Sequence, residues 1–256
     1  MDHIPCPPSN SGPQPPARSD AQAPAGTEVA ANTGNTQGNA GGKLQVTSHN
    51  QYKTPRLLRE NLDPSPLKQF QQWLGEAMDP PPAVAEAGET GQTIKLEAVH
   101  EPEAMTICTA LPSAIPSARI VLLKQVDTLG FVFYTNYLSR KSRELEANAY
   151  ASLAFYWREQ SRSVRVVGRA EKVTRAESEE YFAGRPRGSQ IGAWASRQSE
   201  EVEGERQLEE WVEEVEARYK GKEVPCPPHW GGWRIIPLVD DQAIVAMRKG
   251  FFREAV

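Results

Sequence analysis

Two apolar runs in the middle of the chain decide the fold: SLAFYW at residues 152–157 and VRVVGRAEKV at residues 164–173. Both are rich in β-branched and aromatic residues, which favour strands over helices. Similar runs occur elsewhere in the chain, at residues 105–110, 118–124, 131–135 and 231–238. Short polar or Gly/Pro segments separate the runs that precede residue 174, and such regular short strands predict an antiparallel barrel or sandwich.

Helices are predicted on both sides of this strand-rich region. Asp63 or Ser65 can cap the first helix, whose apolar stripe predicts packing onto a sheet. Thr174 and Glu177 form the capping-box pattern that opens the second helix. The predicted helices span residues 62–78, 174–183, 189–195 and 204–219.

Composition divides the chain into three segments. Residues 1–51 hold many Pro, Gly, Ser, Asn and Gln and almost no large apolar side chains. They cannot bury enough surface to offset the entropy of ordering, so we predict that they are disordered. Residues 52–238 form the predicted folded domain, and residues 239–256 form a C-terminal tail.

Charge and cysteine content exclude several classes of protein. The net charge of −4 provides no overall basic field for nucleic acid, so any anion site depends on locally placed Arg and Lys. Three scattered cysteines argue against a disulfide framework and suit a reducing compartment. The start MDHIPCPPSN does not resemble a secretory signal, and no apolar run approaches the ~20 residues of a membrane helix. We therefore expect a cytoplasmic protein with no membrane segment.

Two segments before residue 142 place cations next to strands. In RIVLLK at residues 119–124, alternation puts Arg119 and Lys124 on opposite faces of a strand, where they either reach water or serve a site. FYTN at residues 133–136 is followed by Arg140 and Lys141. This second segment is either a solvated basic turn or a phosphate clamp, in which Arg supplies a planar fork and Lys a point charge.

A third segment is more specific: YFAGRPRGSQIGA at residues 181–193. Pro186 should end one helix near Arg185, and Ser189 can start the next. Free N–H groups at that helix start, beside Arg185 and Tyr181, would form an anion site. The alternative is a simple helix–turn–helix with a serine cap. SRQS at residues 196–199 is, by itself, most simply a polar helix end.

Taken together, these segments resemble the pyridoxamine 5′-phosphate oxidase family in both order and spacing. SLAFYW, the VRV strand, LDPSPLKQF at residues 62–70 and WGG at residues 230–232 add to the resemblance, which spans about residues 52–238. Members of this family are homodimeric split β-barrels, mainly β with flanking helices, that bind FMN in a cleft between subunits. They oxidise pyridoxamine or pyridoxine 5′-phosphate at C4′ to pyridoxal 5′-phosphate, with dioxygen as the final acceptor.

The resemblance also implies roles for individual residues. The positions that match FMN contacts are Arg119, Ile120, Val121, Leu122, Tyr134, Thr135, Arg140, Lys141, Gln198 and Ser199. The positions that match contacts to the substrate phosphate are Lys124, Tyr181, Arg185 and Ser189. The matched positions assign no catalytic residue, and no metal site is expected.

This chain departs from the family pattern at two places. Ser163 stands where the family usually has Gln before VRV, which removes a flavin contact. After WGG the family continues with E-F-W-Q-G…R-L-H-D-R, whereas residues 239–256 read VDDQAIVAMRKGFFREAV, without Trp or His. We expect this change to lower activity and to leave a sheet edge bare.

Three functional hypotheses follow from these patterns. The first is an FMN-dependent oxidase that makes pyridoxal 5′-phosphate. The second is a homologue that binds FMN or B6 phosphates with impaired catalysis, because the usual final segment is replaced. The third is another flavin split-barrel enzyme, such as a flavin reductase, which the YFxxRPxxS motif at residues 181–189 disfavours.

Overall fold

A computed structural model of the chain describes residues 62–81, 84–85, 93–94, 96–238 and 244–248. The chain divides into two units, Met1–Asn50 and Gln51–Val256, and all described residues belong to the second unit. The predicted disordered segment, residues 1–51, lies outside the described residues, as do most residues of the C-terminal tail.

The described residues form five helices and ten strands. The helices are α1 (Pro66–Met78), α2 (Arg140–Ala147), α3 (Arg175–Ala183), α4 (Arg187–Ala195) and α5 (Glu205–Arg218). The strands are β1 (Val84–Ala85), β2 (Thr93–Ile94), β3 (Ala104–Ala110), β4 (Pro116–Leu122), β5 (Gln125–Val126), β6 (Phe131–Asn136), β7 (Tyr150–Trp157), β8 (Arg162–Lys172), β9 (Trp230–Pro237) and β10 (Ile244–Arg248). All six predicted strands are present with ends shifted by at most two residues, whereas α2 was not predicted.

One antiparallel sheet organises the chain. Seven strands pair in the order β4-β3-β7-β8-β9-β6-β5. The strands at the two ends of this order, β4 and β5, are separated in the chain only by Leu123 and Lys124. The sheet must therefore curl until its ends meet, and Lys124 N donates to Val132 O at 2.8 Å where they do. The result is a split β-barrel with flanking helices, which confirms the predicted fold.

The C-terminal tail contributes a strand to this sheet. β9 pairs with β8 over residues 168–172, and β10 pairs with β8 over residues 162–166. Our expectation that the altered tail would leave a sheet edge bare is wrong for this part of β8. The backbone groups of β10 need only a strand conformation for this pairing, and a sequence unlike the family pattern can supply it.

Aromatic packing between α1 and the sheet forms the main core. Ser65 caps α1, accepting from Lys68 N, and Pro66 occupies the first turn. The Phe70 ring then packs 4.8 Å from that of Phe131 and 4.9 Å from that of Phe155, measured between centroids. All three rings are almost fully buried, and burial of each contributes about 1.5–3 kcal/mol.

A second, smaller core lies among α3, α4, α5 and β9. Phe182, Ile191 and Trp230 are buried in it. The predicted apolar stripe of α5 is only partly covered, because Leu208 and Val212 are exposed. None of the described helices combines the length and the apolar character that crossing a membrane requires.

A buried ion pair ties α1 to the start of β8. Arg162 Nη2 lies 2.6 Å from Glu76 Oε2, and Arg162 Nη1 donates to Gln160 Oε1 at 2.9 Å. Gln160 Nε2 in turn donates to Glu76 O at 2.8 Å. The Arg162 side chain is 5 % exposed and that of Glu76 is 20 % exposed, so neither charge has much contact with water. Loss of Glu76 would leave a buried guanidinium without its counter-ion.

We therefore predict that Glu76→Ala lowers the free energy of unfolding by about 3 kcal/mol, measured by chemical denaturation. Glu210→Ala is the matched control, because Glu210 pairs with Arg206 on α5 while both side chains remain mostly exposed. Its effect should stay close to zero, since exposed pairs contribute little. Equal losses in the two variants would contradict this account of the Arg162–Glu76 pair.

Candidate functional site

Three separate segments meet around the ammonium group of Lys141. Thr135 lies near the end of β6, Lys141 lies in the first turn of α2, and Gln198 follows α4. Lys141 Nζ donates to Thr135 Oγ1 at 3.0 Å, to Gln198 Oε1 at 3.0 Å and to Ser139 Oγ at 3.3 Å. Thr135 Oγ1 also donates to Gln198 Oε1 at 3.3 Å, so the side chains form one connected group.

Hydrogen bonds hold the segment after α4 against the start of α2. Asn136 Nδ2 donates to Ser196 O at 3.0 Å, and Asn136 Oδ1 accepts from Leu138 N at 2.7 Å, which fixes the turn. Arg140 N donates to Ser199 Oγ at 3.1 Å. Five predicted flavin-site residues thus lie together and are called the Lys141 cluster: Thr135, Arg140, Lys141, Gln198 and Ser199.

The Lys141 ammonium is half-buried, and its hydrogen-bond partners are neutral oxygens. Burial, assisted by the nearby Arg119, lowers the pKa of Lys141 to about 8. A cation in this setting gains from any anion that reaches it, because the anion restores the stabilisation that burial removed. The chemistry of the Lys141 cluster therefore suits a negatively charged group.

A buried carboxylate joins the predicted cations Arg119 and Arg140. Glu144 Oε2 accepts from Arg119 Nη2 at 3.0 Å, and Glu144 Oε1 accepts from Arg140 Nε at 2.8 Å. The hydroxyls of Thr109 and Ser117 also donate to Oε2, at 2.5 and 2.7 Å. Burial alone would raise the pKa of Glu144, but these hydrogen bonds outweigh it and lower the pKa to about 2. The sequence analysis missed Glu144, although its spacing of four residues from Arg140 on a helix was available.

A second polar site lies where aromatic rings stack beside Arg185. The Tyr134 ring stacks on Tyr181 at 3.9 Å with an interplanar angle of 5°, and on Trp230 at 5.3 Å with an angle of 11°. The Arg185 guanidinium lies 4.7 Å from the centroid of the Trp230 ring. Arg185 Nη1 is buried and lacks a hydrogen-bond partner among the described residues. A buried, unpaired guanidinium nitrogen is costly, which indicates a site for an anion.

The ring stack depends on glycine in β9. Tyr134 pairs with Gly232 across the two strands. A Cβ at Gly232 would lie 2.9 Å from Tyr134 Cε1 and 2.7 Å from Val173 Cγ2, so a larger residue would push the Tyr134 ring away. Burial, with Glu177 nearby, raises the pKa of Tyr134 to about 12, and its hydroxyl therefore stays protonated at physiological pH.

Comparisons with known proteins agree on one family. A family model for pyridoxamine 5′-phosphate oxidase matches residues 94–219. A pyridoxine/pyridoxamine 5′-phosphate oxidase from Rubrobacter xylanophilus is 49 % identical over 187 residues, which cover 73 % of this chain and 78 % of that relative. The chain belongs to the pyridoxine/pyridoxamine 5′-phosphate oxidase family. A relative of the same name from Cyanothece sp. is 44 % identical, with coverage of 73 % and 80 %.

One solved structure shares the fold of this oxidase-family chain. The crystal structure of PhzG from Burkholderia lata 383, in complex with tetrahydrophenazine-1-carboxylic acid, matches with a TM-score of 0.60 and 23 % identity. The match covers 78 % of this chain and 95 % of PhzG. At this level of identity the likeness supports the split-barrel fold only.

The start of α4 differs from the sequence prediction. We expected Ser189 to start this helix, but α4 begins at Arg187, directly after Pro186, so the expectation is wrong. Pro186 has a fixed φ that suits the residue before a helix, so α4 begins two residues earlier in the chain than expected. The first helical hydrogen bond runs from Gln190 N to Pro186 O, so the N–H groups just before Gln190, including that of Ser189, have no acceptor within the helix.

Three of the predicted substrate residues are called the Arg185 clamp: Tyr181, Arg185 and Ser189.

The remaining predicted residues lie on β4 or just after it. Val121 packs against the main core, whereas Ile120 and Leu122 are exposed. Lys124 is exposed and lines an open cavity, together with Glu103 and other residues. Among the described residues, no hydrogen bond joins the Lys124 side chain to the Arg185 clamp. The fold therefore does not bring all four predicted substrate residues into direct contact.

The pKa of Lys141 gives a direct test of the Lys141 cluster. We predict that, in flavin-free protein, one lysine side chain titrates near pH 8 and that its NMR signal disappears in Lys141→Met. A bound phosphate should raise this pKa, because the dianion favours the charged ammonium. Affinity for a phosphate ligand should consequently fall as the pH rises above 8. A Lys141 signal that titrates above pH 10 would contradict the placement of this ammonium.

Proposed function

We propose that this chain is an FMN-dependent oxidase that converts pyridoxamine or pyridoxine 5′-phosphate to pyridoxal 5′-phosphate with dioxygen as acceptor. The observation that carries the proposal is the presence of two separate groups that each hold a partly buried cation and a hydroxyl, the Lys141 cluster and the Arg185 clamp. Both include a neighbour in the same strand, since Thr135 belongs to the cluster and Tyr134 stacks on Tyr181 of the clamp. A phosphorylated flavin and a phosphorylated substrate require two such sites next to each other.

The Lys141 cluster matches the needs of the FMN phosphate. Lys141 is a desolvated cation with neutral partners, and the terminal nitrogens of Arg140 remain accessible in a side chain that is 58 % exposed. Thr135 and Ser199 add hydroxyl groups to this cluster. When bound, FMN supplies the two-electron acceptor for the oxidation. The protein binds and orients it.

The Arg185 clamp matches a substrate phosphate. Arg185 has an unpaired buried nitrogen, and Ser189 lies in the first turn of α4, where free N–H groups favour an anion. Charge-assisted hydrogen bonds of this kind contribute about 1.5–3 kcal/mol each. Anchoring the phosphate at this clamp fixes one end of the substrate, so that C4′ can be held over the flavin ring.

The proposed substrate site is tested by Arg185→Lys. Lysine cannot reproduce a bidentate contact, so KM for pyridoxamine 5′-phosphate should rise about tenfold while FMN affinity stays unchanged. The measurements are steady-state peroxide production and FMN fluorescence titration. Arg187→Lys is the control, because Arg187 donates to the carbonyls of Tyr219 and Lys222 instead. Loss of FMN affinity in Arg185→Lys would show that Arg185 serves the other phosphate, and absence of any oxidase activity in the unaltered chain would refute the function.

We further propose that the working form is a homodimer. Ile120, Thr106 and Ala154 lie in one row across β4, β3 and β7. On this face Ile120 is 64 % exposed, Tyr150 56 % and Tyr156 51 %, next to the polar β8 residues Arg165 and Arg169. Such a face favours association with a second copy. A dimer would also allow Lys124 of one subunit to serve the Arg185 clamp of the other.

Mixed dimers test this sharing of the substrate site. Lys124→Ala and Arg185→Ala should each abolish most turnover when expressed alone. In mixed dimers one site would regain both side chains, so co-expression should restore about a quarter of wild-type turnover for a two-fold symmetric dimer. No recovery on mixing, with dimers present by light scattering, would place Lys124 and Arg185 in the same subunit's site or remove Lys124 from it.

A second candidate function is a binding protein with impaired catalysis. The observation that favours it is the sequence after Leu238, which lacks Trp and His and does not match the family's E-F-W-Q-G…R-L-H-D-R pattern. That pattern would supply contacts beside the flavin and the reacting carbon. With the Lys141 cluster and the Arg185 clamp present, binding of both phosphates should survive better than turnover. Loose placement of C4′ by about 1 Å can cost on the order of a hundredfold in rate.

A chimera separates the two functions. Replacing residues 239–256 with a family-type E-F-W-Q-G…R-L-H-D-R ending should raise kcat by at least tenfold, on the order expected for correct substrate placement. KM for pyridoxamine 5′-phosphate should change little, because the phosphate contacts are untouched. A chain that already turns over as fast as the chimera would rule out impairment by the tail.

A further inference from the structure

Glu144 is the point at which two of the predicted flavin-site cations meet. Arg119 lies in β4 and Arg140 begins α2, so they are far apart in the sequence. Both guanidinium groups bind the same carboxylate, which also accepts from the Thr109 and Ser117 hydroxyls. The Glu144 side chain is 2 % exposed. The arrangement is thus a fully satisfied buried anion, and it lies next to a site that must bind another anion.

Arg119 and Arg140 bind the Glu144 carboxylate through different nitrogens. Both terminal nitrogens of Arg119 are occupied, since Nη1 donates to Thr109 Oγ1 at 2.6 Å and Nη2 contacts Ser117 and Glu144. Arg140 instead binds Glu144 through Nε, and its two terminal nitrogens have no partner among the described residues. Arg119 therefore neutralises Glu144, whereas Arg140 keeps its terminal N–H groups for a ligand.

Glu144 stays in this position when an anion binds, for an energetic reason. Displacing it from both arginines would strand a charged carboxylate in a buried setting, with only two hydroxyl donors. Buried charges that lose their partners are strongly unfavourable. Because Nε of Arg140 already donates to Glu144, the terminal nitrogens of Arg140 are the donors that remain available to a phosphate.

We propose that Glu144 is the positioning residue of the flavin phosphate site. It fixes the guanidinium of Arg140 through Nε, so that the terminal nitrogens are held ready for the phosphate beside Lys141. This inference rests on the proposed binding of FMN. In this proposal Arg140 and Lys141 contact the phosphate. Arg119 instead balances the charge of Glu144.

The test compares FMN with riboflavin, which lacks the phosphate, by fluorescence titration of flavin-free protein. Glu144→Gln keeps the size of the side chain but loses its charge, and it presents an amide N–H₂ to one guanidinium. The dissociation constant for FMN should rise about tenfold while that for riboflavin stays unchanged. Glu210→Gln is the control, since Glu210 forms the same kind of pair with Arg206 on exposed α5, and neither constant should change.

A second variant keeps the proposal testable if Glu144→Gln does not fold. Arg140→Gln removes the exposed arginine and leaves Arg119, Thr109 and Ser117 to hold Glu144. It should weaken FMN at least tenfold, again without affecting riboflavin, because it removes the phosphate contact itself. In the double variant the two losses should not add, since Glu144 is proposed to act through Arg140.

The possible results separate this inference from the proposed function. Unchanged or tighter FMN binding in Glu144→Gln would overturn it, because Glu144 would then be neutral or a competitor of the phosphate. Equal weakening of FMN and riboflavin would also overturn it and leave Glu144 a structural role. In a Glu144→Gln protein that does not fold, unchanged FMN affinity in Arg140→Gln would overturn it instead. If the wild-type chain bound neither flavin, the proposed function would fail as well.

Discussion

The pairing of β6 with β9 is the constraint on which both anion sites depend. Its register sets Tyr134 opposite Gly232 and Asn136 opposite Trp230. Because glycine leaves room for the Tyr134 ring, that ring can stack between β9 and α3, and Trp230 can support Arg185. At the end of the same strand, the chain turns into α2 and presents Lys141. The residues of both proposed phosphate sites are thus positioned by a single pair of strands.

Each anion site holds a cation that has been partly removed from water. Lys141 has neutral oxygens as its partners, and Arg185 retains a buried nitrogen without one among the described residues. Both arrangements are costly in the free protein, which is the basis for proposing that a phosphate binds at each. Glu144 differs, because its charge is already balanced, and its contribution is to orient rather than to bind. Lys141 and Arg185 are therefore the charges available to a ligand, whereas Glu144 is a charge that orients its neighbours.

The sequence was sufficient for features that depend on local pattern. Runs of apolar, β-branched and aromatic residues predicted the strands, and the Thr174–Glu177 capping box is present at α3. Glu144 escaped notice because a glutamate in a charged helix ordinarily faces water, and its burial depends on β3 and β4, which lie 25 or more residues away in the chain. β10 escaped notice because its pairing depends on backbone groups rather than on a recognisable motif. A single sequence could not show that Lys124 and the Arg185 clamp form one site, because we propose that they come together from two different subunits.

We propose that the flavin phosphate and the substrate phosphate occupy two different sites. A crystal structure of the protein with FMN and pyridoxal 5′-phosphate tests this claim most directly. We predict that the FMN phosphate lies within about 3 Å of Arg140 and Lys141 nitrogens, and that the pyridoxal phosphate group lies at Arg185 and the start of α4. A FMN phosphate bound at Arg185, or one that displaces Glu144 from Arg140, would contradict the account.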